Sequence, residues 1–241
     1  MKITFLGSSH GVPEPNRNCS CAMIEIGDNR YFIDMGKDPM TDIVTRSLPI
    51  DSIKGIFITH MHEDHTFGLL HFIGLATWRY KTADPVIYLP CDIQDAKRTF
   101  NSWLELNAEV PREFRYFEVK EGVIFEDESI KITAYLTKHK SKSFAFLVEA
   151  EGKRVLFSGD LSKDPRVDFP MKAIEEEVDL AICEVAHFNP EVYLEIFGGK
   201  NTVKRLCFNH YSNRYMEYIF KVIPQLEMPV FLANDGMEIV L

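Results

Sequence analysis

The stretch FITHMHEDHTFG, Phe57 to Gly68, constrains this chain more than any other. Three histidines and two acids fall between His60 and His65, directly behind an apolar run. Such polar groups at the end of a buried strand need partners, because an unpaired buried polar group costs about 1–3 kcal/mol. His60 and His62 lie two residues apart on extended chain, so both side chains can point to one side. Asp64 and His65 follow on the turn into a helix, where they can face a second point nearby. One segment can therefore feed two metals. Zinc takes imidazole nitrogen and carboxylate oxygen at about 2.0–2.2 Å, and hydrolytic two-metal sites hold their ions roughly 3.5–4 Å apart.

Further ligands of the right types close other strand patterns. His139 ends AYLTKH, Asp160 ends RVLFSGD and His210 ends RLCFNH. Each stands where a strand gives way to a loop, the place where sites are built on sheet scaffolds.

Strand patterns dominate the chain. KITFLG reads as a strand, and AMIEIG and RYFIDMG as a hairpin around the turn residues GDN. SIKGIFITH is a buried strand, followed by a helix-length segment from Thr66 to Tyr80. PVIYLP reads as a strand and DIQDAKRTFNSWLEL as a helix with Asp92 near its start. FRYFEVK, SIKITAYLTKH and SFAFLVEAEGKRVLFSGD are strand-rich, the last folding back at EAEGKR. MKAIEEEV, DLAICEV, PEVYLEIFGG, RLCFNHYS, RYMEYIFKVI and PVFLAND then alternate helix with strand. Strands followed by strand–helix alternation in each half predict an α/β (α+β) architecture, a four-layer αββα sandwich. With 241 residues, 46% of them hydrophobic, a single domain over residues 1–241 is expected.

The balance of 36 acids against 27 bases gives a formal charge of −9, so extended nucleic-acid binding is not expected. The N-terminal MKITFLGSSHG has too short an apolar core for a signal peptide, and no run of about 18 apolar residues occurs. A soluble cytoplasmic protein with no membrane partner is expected. The five cysteines are odd in number and scattered, which fits reduced thiols. Cys19 and Cys21 read as two small residues entering a strand rather than as a metal pair.

Taken in order, FIDMG with Asp34, THMHEDH, the His139 strand end, FSGD and FNHYSNRY resemble the metallo-β-lactamase fold superfamily over most of the chain. The resemblance implies that His60, His62 and His139 hold one metal, that Asp64, His65 and His210 hold the other, and that Asp160 bridges them. It also implies that Asp34 supports the ligand loop by hydrogen bonding. FLGSSHGVPEPNRNCS and NHYSNRY are similar to the transfer-RNA 3′-end endonuclease branch, tRNase Z, and its phosphodiesterase relatives. DLAICEVAH resembles that branch's segment around a glutamate, here Glu184. The branch's later His-Ser-Thr stretch has no counterpart between Glu184 and His210, which leaves His187 as a candidate stand-in. A Gly/Pro-rich basic arm for holding transfer RNA is also not found.

The function implied is that of a dinuclear metal-dependent hydrolase, a phosphodiesterase using a metal-bound hydroxide. Five imidazoles and two carboxylates around two divalent ions leave a charge of about +2, which favours an anionic substrate. Asp64, Glu184 and His187 are the candidate catalytic residues, with Glu184 or His187 protonating the leaving oxygen or orienting the water. Arg17, Asn18, Ser212 and Arg214 are candidates for phosphate contacts and equally for bracing a loop. His10 is a candidate to line the pocket, whereas His71 is expected only to pack within its helix. Zinc is the expected metal, with manganese and iron as alternatives. The expected partner is a small anionic substrate, a phosphodiester; a homodimer is left open, with Trp103 as an interface candidate. Four alternative functions remain: a glyoxalase-II-like thioesterase, a tRNA 3′-end endonuclease, a diiron redox protein and a non-catalytic binding protein.

Overall fold

Strands apolar on both faces must be covered on both faces, and this pattern sets the architecture of the computed structural model, which describes residues 1–12, 14–199 and 202–241. Pro13 of the N-terminal pattern lies outside the described residues. The first sheet runs in the order β14 (Glu238–Val240), β1 (Lys2–Gly7), β2 (Cys21–Ile26), β3 (Asn29–Ile33), β4 (Ile53–Phe57), β5 (Val86–Leu89), β6 (Arg115–Glu118). The second runs β13 (Val230–Leu232), β12 (Leu206–Tyr211), β11 (Leu180–Val185), β10 (Lys153–Phe157), β9 (Ser143–Ala150), β8 (Lys131–Thr137), β7 (Gly122–Glu126).

Alternate residues of each strand enter different cores. Ile3, Phe5, Ile24, Tyr31 and Phe57 meet Ile132, Phe146, Val148, Val155 and Ile182 between the sheets. Leu6, Met23, Phe32 and Ile56 face outward onto the helices α1 (Met40–Thr45), α2 (Glu63–Trp78) and α3 (Ile93–Leu106). Leu147, Leu156, Ala181 and Phe208 face the opposite way, toward α4 (Val192–Ile196) and α5 (Met216–Val222). Three cores between four layers make the expected αββα sandwich.

Local chemistry sets several joints. Gly27 and Gly152 take left-handed φ of 54° and 70° in the tight turns β2–β3 and β9–β10. Asp92 caps α3, accepting from the amides of Gln94 and Asp95.

Two segments differ from expectation. MKAIEEEV forms only a 3₁₀ turn at Met171–Ile174, after which the chain bends toward β11. PEVYLEIFGG yields the five-residue α4, halted before Gly198 and Gly199. β7 and β14, both at sheet edges, have no counterpart in the strand pattern read from the sequence. No helix among the described residues is long and apolar enough to cross a membrane.

Candidate metal centre

Four chain segments deliver the cluster. The loop after β4 carries His60; His62 is the N-terminal cap position of α2, and Asp64 and His65 lie in the first turn of that helix. His139 follows β8, Asp160 follows β10, and His210 lies near the end of β12. His210 sits at a β-bulge where Glu184 faces Asn209 but Val185 faces Tyr211, and it takes φ 47°. The bulge re-aims its ring out of the regular strand alternation.

The nitrogens and oxygens converge on two points. His60 Nε2 lies 3.0 Å from His62 Nδ1, and His139 Nε2 lies 3.4 Å from that same nitrogen. Asp160 Oδ2 is 3.6 Å from His60 Nε2 and 3.7 Å from His139 Nε2. In the second group His65 Nε2 is 3.2 Å from His210 Nε2 and 3.4 Å from Asp64 Oδ2. His210 Nε2 is 3.1 Å from the same Asp64 oxygen. Asp160 Oδ1 stands 3.4 Å from His65 Nε2, so this carboxylate turns one oxygen to each group.

These spacings fit metal ions. Two donors each about 2.1 Å from one tetrahedral ion lie roughly 3.4 Å apart. Asp160 Oδ1 is buried without a hydrogen-bond partner among the described residues, the condition of an acceptor reserved for another ligand. His60, His62, His139 and Asp160 form one group able to hold an ion, Asp64, His65 and His210 another, and Asp160, His187 and His210 a third that shares Asp160 with the first and His210 with the second. Nitrogen and oxygen donors of this kind suit divalent metals.

Electrostatics prepares the same atoms. Burial, and then the charge of His65, push the His60 imidazole down to about 2. Burial and the Lys140 ammonium hold His62 below its usual range, and burial does the same to His139. Burial alone would raise the Asp64 carboxyl, but the bonds from His210 and His65 outweigh it and hold it well below the carboxylate range. Asp160 is likewise held low, the charges of His210 and His65 overcoming its burial. Burial would lower His65, yet Asp34 and Asp160 raise it well above the imidazole range. The carboxylates thus demand positive charge at this point, while His60, His62 and His139 remain neutral donors.

Hydrogen bonds fix the ligand orientations. Asp34, itself at φ 59°, contacts His65 Nδ1 through Oδ2 at 2.7 Å and accepts from the Thr59 amide through Oδ1 at 2.8 Å. The Thr59 hydroxyl also lies 3.2 Å from His60 Nδ1. His139 Nδ1 donates to the Leu161 carbonyl at 3.2 Å. Asp168 ties the two loops carrying His139 and Asp160, accepting from the amides of Lys138 and Ser162. Sequence reasoning missed Thr59 and Asp168; Thr59 stands beside His60 in the motif, whereas Asp168 gives no local signal.

The remaining candidates divide. His187 lies beside the cage, its ring centroid 4.6 Å from that of His139 and its Nδ1 2.9 Å from Glu184. Glu184 is buried and accepts from the amides of Leu161 and Ala186, so it positions His187 and the Asp160 loop without reaching the cage itself. Arg17 pairs with Glu14, donates to the Tyr211 carbonyl at 3.0 Å and stacks on the Tyr211 ring. Asn18 donates to Asp235 through its amide and its side chain, and Arg214 donates to the Ala186 carbonyl at 2.6 Å. The Ser212 hydroxyl accepts from the Arg214 amide. Arg17, Asn18 and Arg214 give donors to intramolecular acceptors, and Ser212 accepts at the turn that carries Arg214, so all four brace loops. His10 stands edge-on to His210 at 6.4 Å and contacts Glu14, so it forms a wall beside the second group. His71 is exposed and pairs with Asp38 at 2.9 Å, a surface contact in place of the expected packing.

Among known proteins, the family described as Anti-Pycsar protein Apyc1 matches residues 1–196. The Ribonuclease Z of Rippkaea orientalis is 28% identical over 172 residues, covering 70% of this chain and 54% of that protein. The chain thus spans about half the length of the curated relatives it matches. Among solved structures, the metallo-beta-lactamase fold protein YhfI from Bacillus subtilis superposes with a TM-score of 0.74 at 17% identity, covering 99% of this chain and 98% of its own. Human tRNase Z, short form, superposes with a TM-score of 0.71 at 25% identity, covering 100% and 99%. The chain has the metallo-β-lactamase fold and stands in the tRNase Z and phosphodiesterase-like branch.

One expectation is overturned. The net charge of −9 argued against extended nucleic-acid binding, yet relatives are named Ribonuclease Z and tRNase Z, for RNA. Net charge sums the whole surface, whereas phosphate recognition depends on the field at one face.

Proposed function

The chain belongs to the family of the Anti-Pycsar protein Apyc1, and from that premise we propose that it is a dinuclear metal-dependent hydrolase of phosphoric diesters. The observation that carries this reading is Asp160, whose two oxygens face two separate ligand groups. Two divalent ions, zinc in our reading, would be held by those groups and would supply water of pKa near about 7 together with Lewis acidity toward a phosphoryl oxygen.

The chain's own side chains would do the rest. Asp34 and Thr59 keep the His65 and His60 rings turned toward the cage. His187 has Nδ1 committed to Glu184, which leaves Nε2 to deliver a proton to the leaving oxygen of the ester. Glu184 is then a positioning residue, and its burial keeps His187 in place when substrate binds. An RNA phosphodiester is a second substrate reading of the same site, favoured by the 25% identity to human tRNase Z along the whole chain.

The test is a rate comparison on protein whose metal content has been counted. Bis(p-nitrophenyl) phosphate, a transfer-RNA precursor and a lactoylglutathione-type thioester are offered to the wild type and to Asp160→Ala. Cleavage of a diester, with metal and activity both lost in the variant, is the expected result. Cleavage of the thioester alone, or of nothing with two ions bound, overturns the proposal.

A further inference from the structure

We propose that the cleft beside His62, with Lys140 at its rim, is a subsite for a second phosphate of the substrate, one that is not cleaved. The proposal rests on the phosphodiesterase reading above and names where the rest of the substrate lies.

The two sides of the cage differ. On the Asp64 and His210 side, the N-terminal loop packs so closely that a Cβ on Gly11 would stand 3.1 Å from Asp64 Oδ2. That loop is anchored from the far end of the chain: Asp235 accepts from the Ser8 amide at 2.9 Å and from the Asn18 amide at 2.7 Å. The anchored loop thus lies against the Asp64 carboxylate on that side. On the other side, a cleft of about 350 Å³ opens beside His62, between Met61, Pro90, Cys91, Lys140 and Lys142.

The lining of this cleft has two characters. Met61, 40% exposed, and Pro90 form an apolar base on which a sugar or a ring can rest. Two ammonium groups stand at the rim, and Asp92 also lines the cleft, its Oδ1 engaged by the amides of Gln94 and Asp95 at the start of α3. Lys142 is already satisfied by Glu118 at 2.5 Å. Lys140 has no acidic partner among the described residues. Its backbone is nonetheless fixed, because the Lys140 amide donates to the Ser143 hydroxyl at 3.1 Å and the Thr137 hydroxyl donates to that same oxygen at 2.8 Å.

The exposed Lys140 ammonium adds positive field beside His62 on the side of the cage where the cleft opens, and an anion lying against both would meet that field. A substrate with one phosphate over the cage and a second at Lys140 lies against both. The apolar base between them fits the sugar that joins two phosphates in a nucleotide.

Hydrolysis of thymidine 5′-(p-nitrophenyl phosphate) with and without a 3′-phosphate tests this, with released nitrophenolate as the readout. The wild type should prefer the 3′-phosphorylated ester. Lys140→Ala should reduce that preference about tenfold, the scale of one charged hydrogen bond, through KM. Lys140→Arg should restore most of it, and Lys172→Ala, an exposed charge in the outer layer, should leave it unchanged. Lys140→Ala should still bind as much metal as the wild type. An absent preference in the wild type, or one unchanged in Lys140→Ala, overturns the subsite while leaving the diesterase reading intact. If neither ester is cleaved by metal-loaded protein, the diesterase reading falls and the subsite falls with it.

Discussion

Asp34 and His210 both hold left-handed backbone, at φ 59° and 47°, a conformation that costs a non-glycine residue about 1–3 kcal/mol. One is a ligand candidate and the other carries the hydrogen bond that aims a ligand, so local strain is spent on orientation. Asp34→Asn keeps the shape but replaces a carboxylate oxygen that His65 and Thr59 use. Zinc affinity, measured by competition with a chelator, should fall roughly 10–100-fold; unchanged affinity would remove Asp34 from the site's design. His187→Ala should lower kcat by about 100-fold or more while both ions stay bound. Equal loss of metal and rate in that variant would mean that His187 acts as a ligand. Glu184→Gln should lower both kcat and the melting temperature, since its two oxygens accept backbone amides that a side-chain NH2 group cannot serve.

At the scale of elements, the site depends on how closely α2 approaches the loop after β3. The Met35 amide donates to the His65 carbonyl, and the Gly68 amide donates to Met35. Gly36 touches this helix so tightly that a Cβ there would stand 1.7 Å from the Asp64 carbonyl oxygen. Gly36→Ala should therefore displace the first turn of α2 and lose zinc from the Asp64 group, seen as a fall in bound metal with a destabilisation of about 1–3 kcal/mol or more. Asp92→Ala, at the cap of α3, should cost about 1 kcal/mol in denaturant unfolding and leave metal content unchanged.

For the whole molecule, ligands drawn from both sheets mean that bound metal ties them together. At a free zinc concentration a thousandfold above Kd, one ion adds about 4 kcal/mol to stability. Chelation should then lower the melting temperature by roughly 10 °C, and Asp160→Ala should respond far less. Much of this was open to reading in one dimension. The H-x-H-x-D-H cluster, the period-two strands apolar on both faces and the Asp92 cap are local patterns, and local patterns are written in neighbouring residues. The same holds for the polar residues that end strands, His139, Asp160 and His210, as to type and position. The two-sided role of Asp160 is different: in the sequence it is carried by resemblance, and its geometry depends on His60, His65 and His139 arriving from other strands. The strands β7 and β14 escaped notice because short edge strands gain their stability from a neighbour more than from their own sequence. Arg17 and Arg214 carried the same ambiguity: an arginine's donors reach phosphate or a carbonyl equally well, and only the fold placed Glu14, Tyr211 and Ala186 within their reach. Sequence determined which chemistry the chain can carry, since that depends on side-chain type and short-range spacing. Tertiary structure decided which groups spend their hydrogen bonds on one another and which, like Asp160 Oδ1 and Lys140, find no such partner among the described residues, since that depends on residues far apart in the chain.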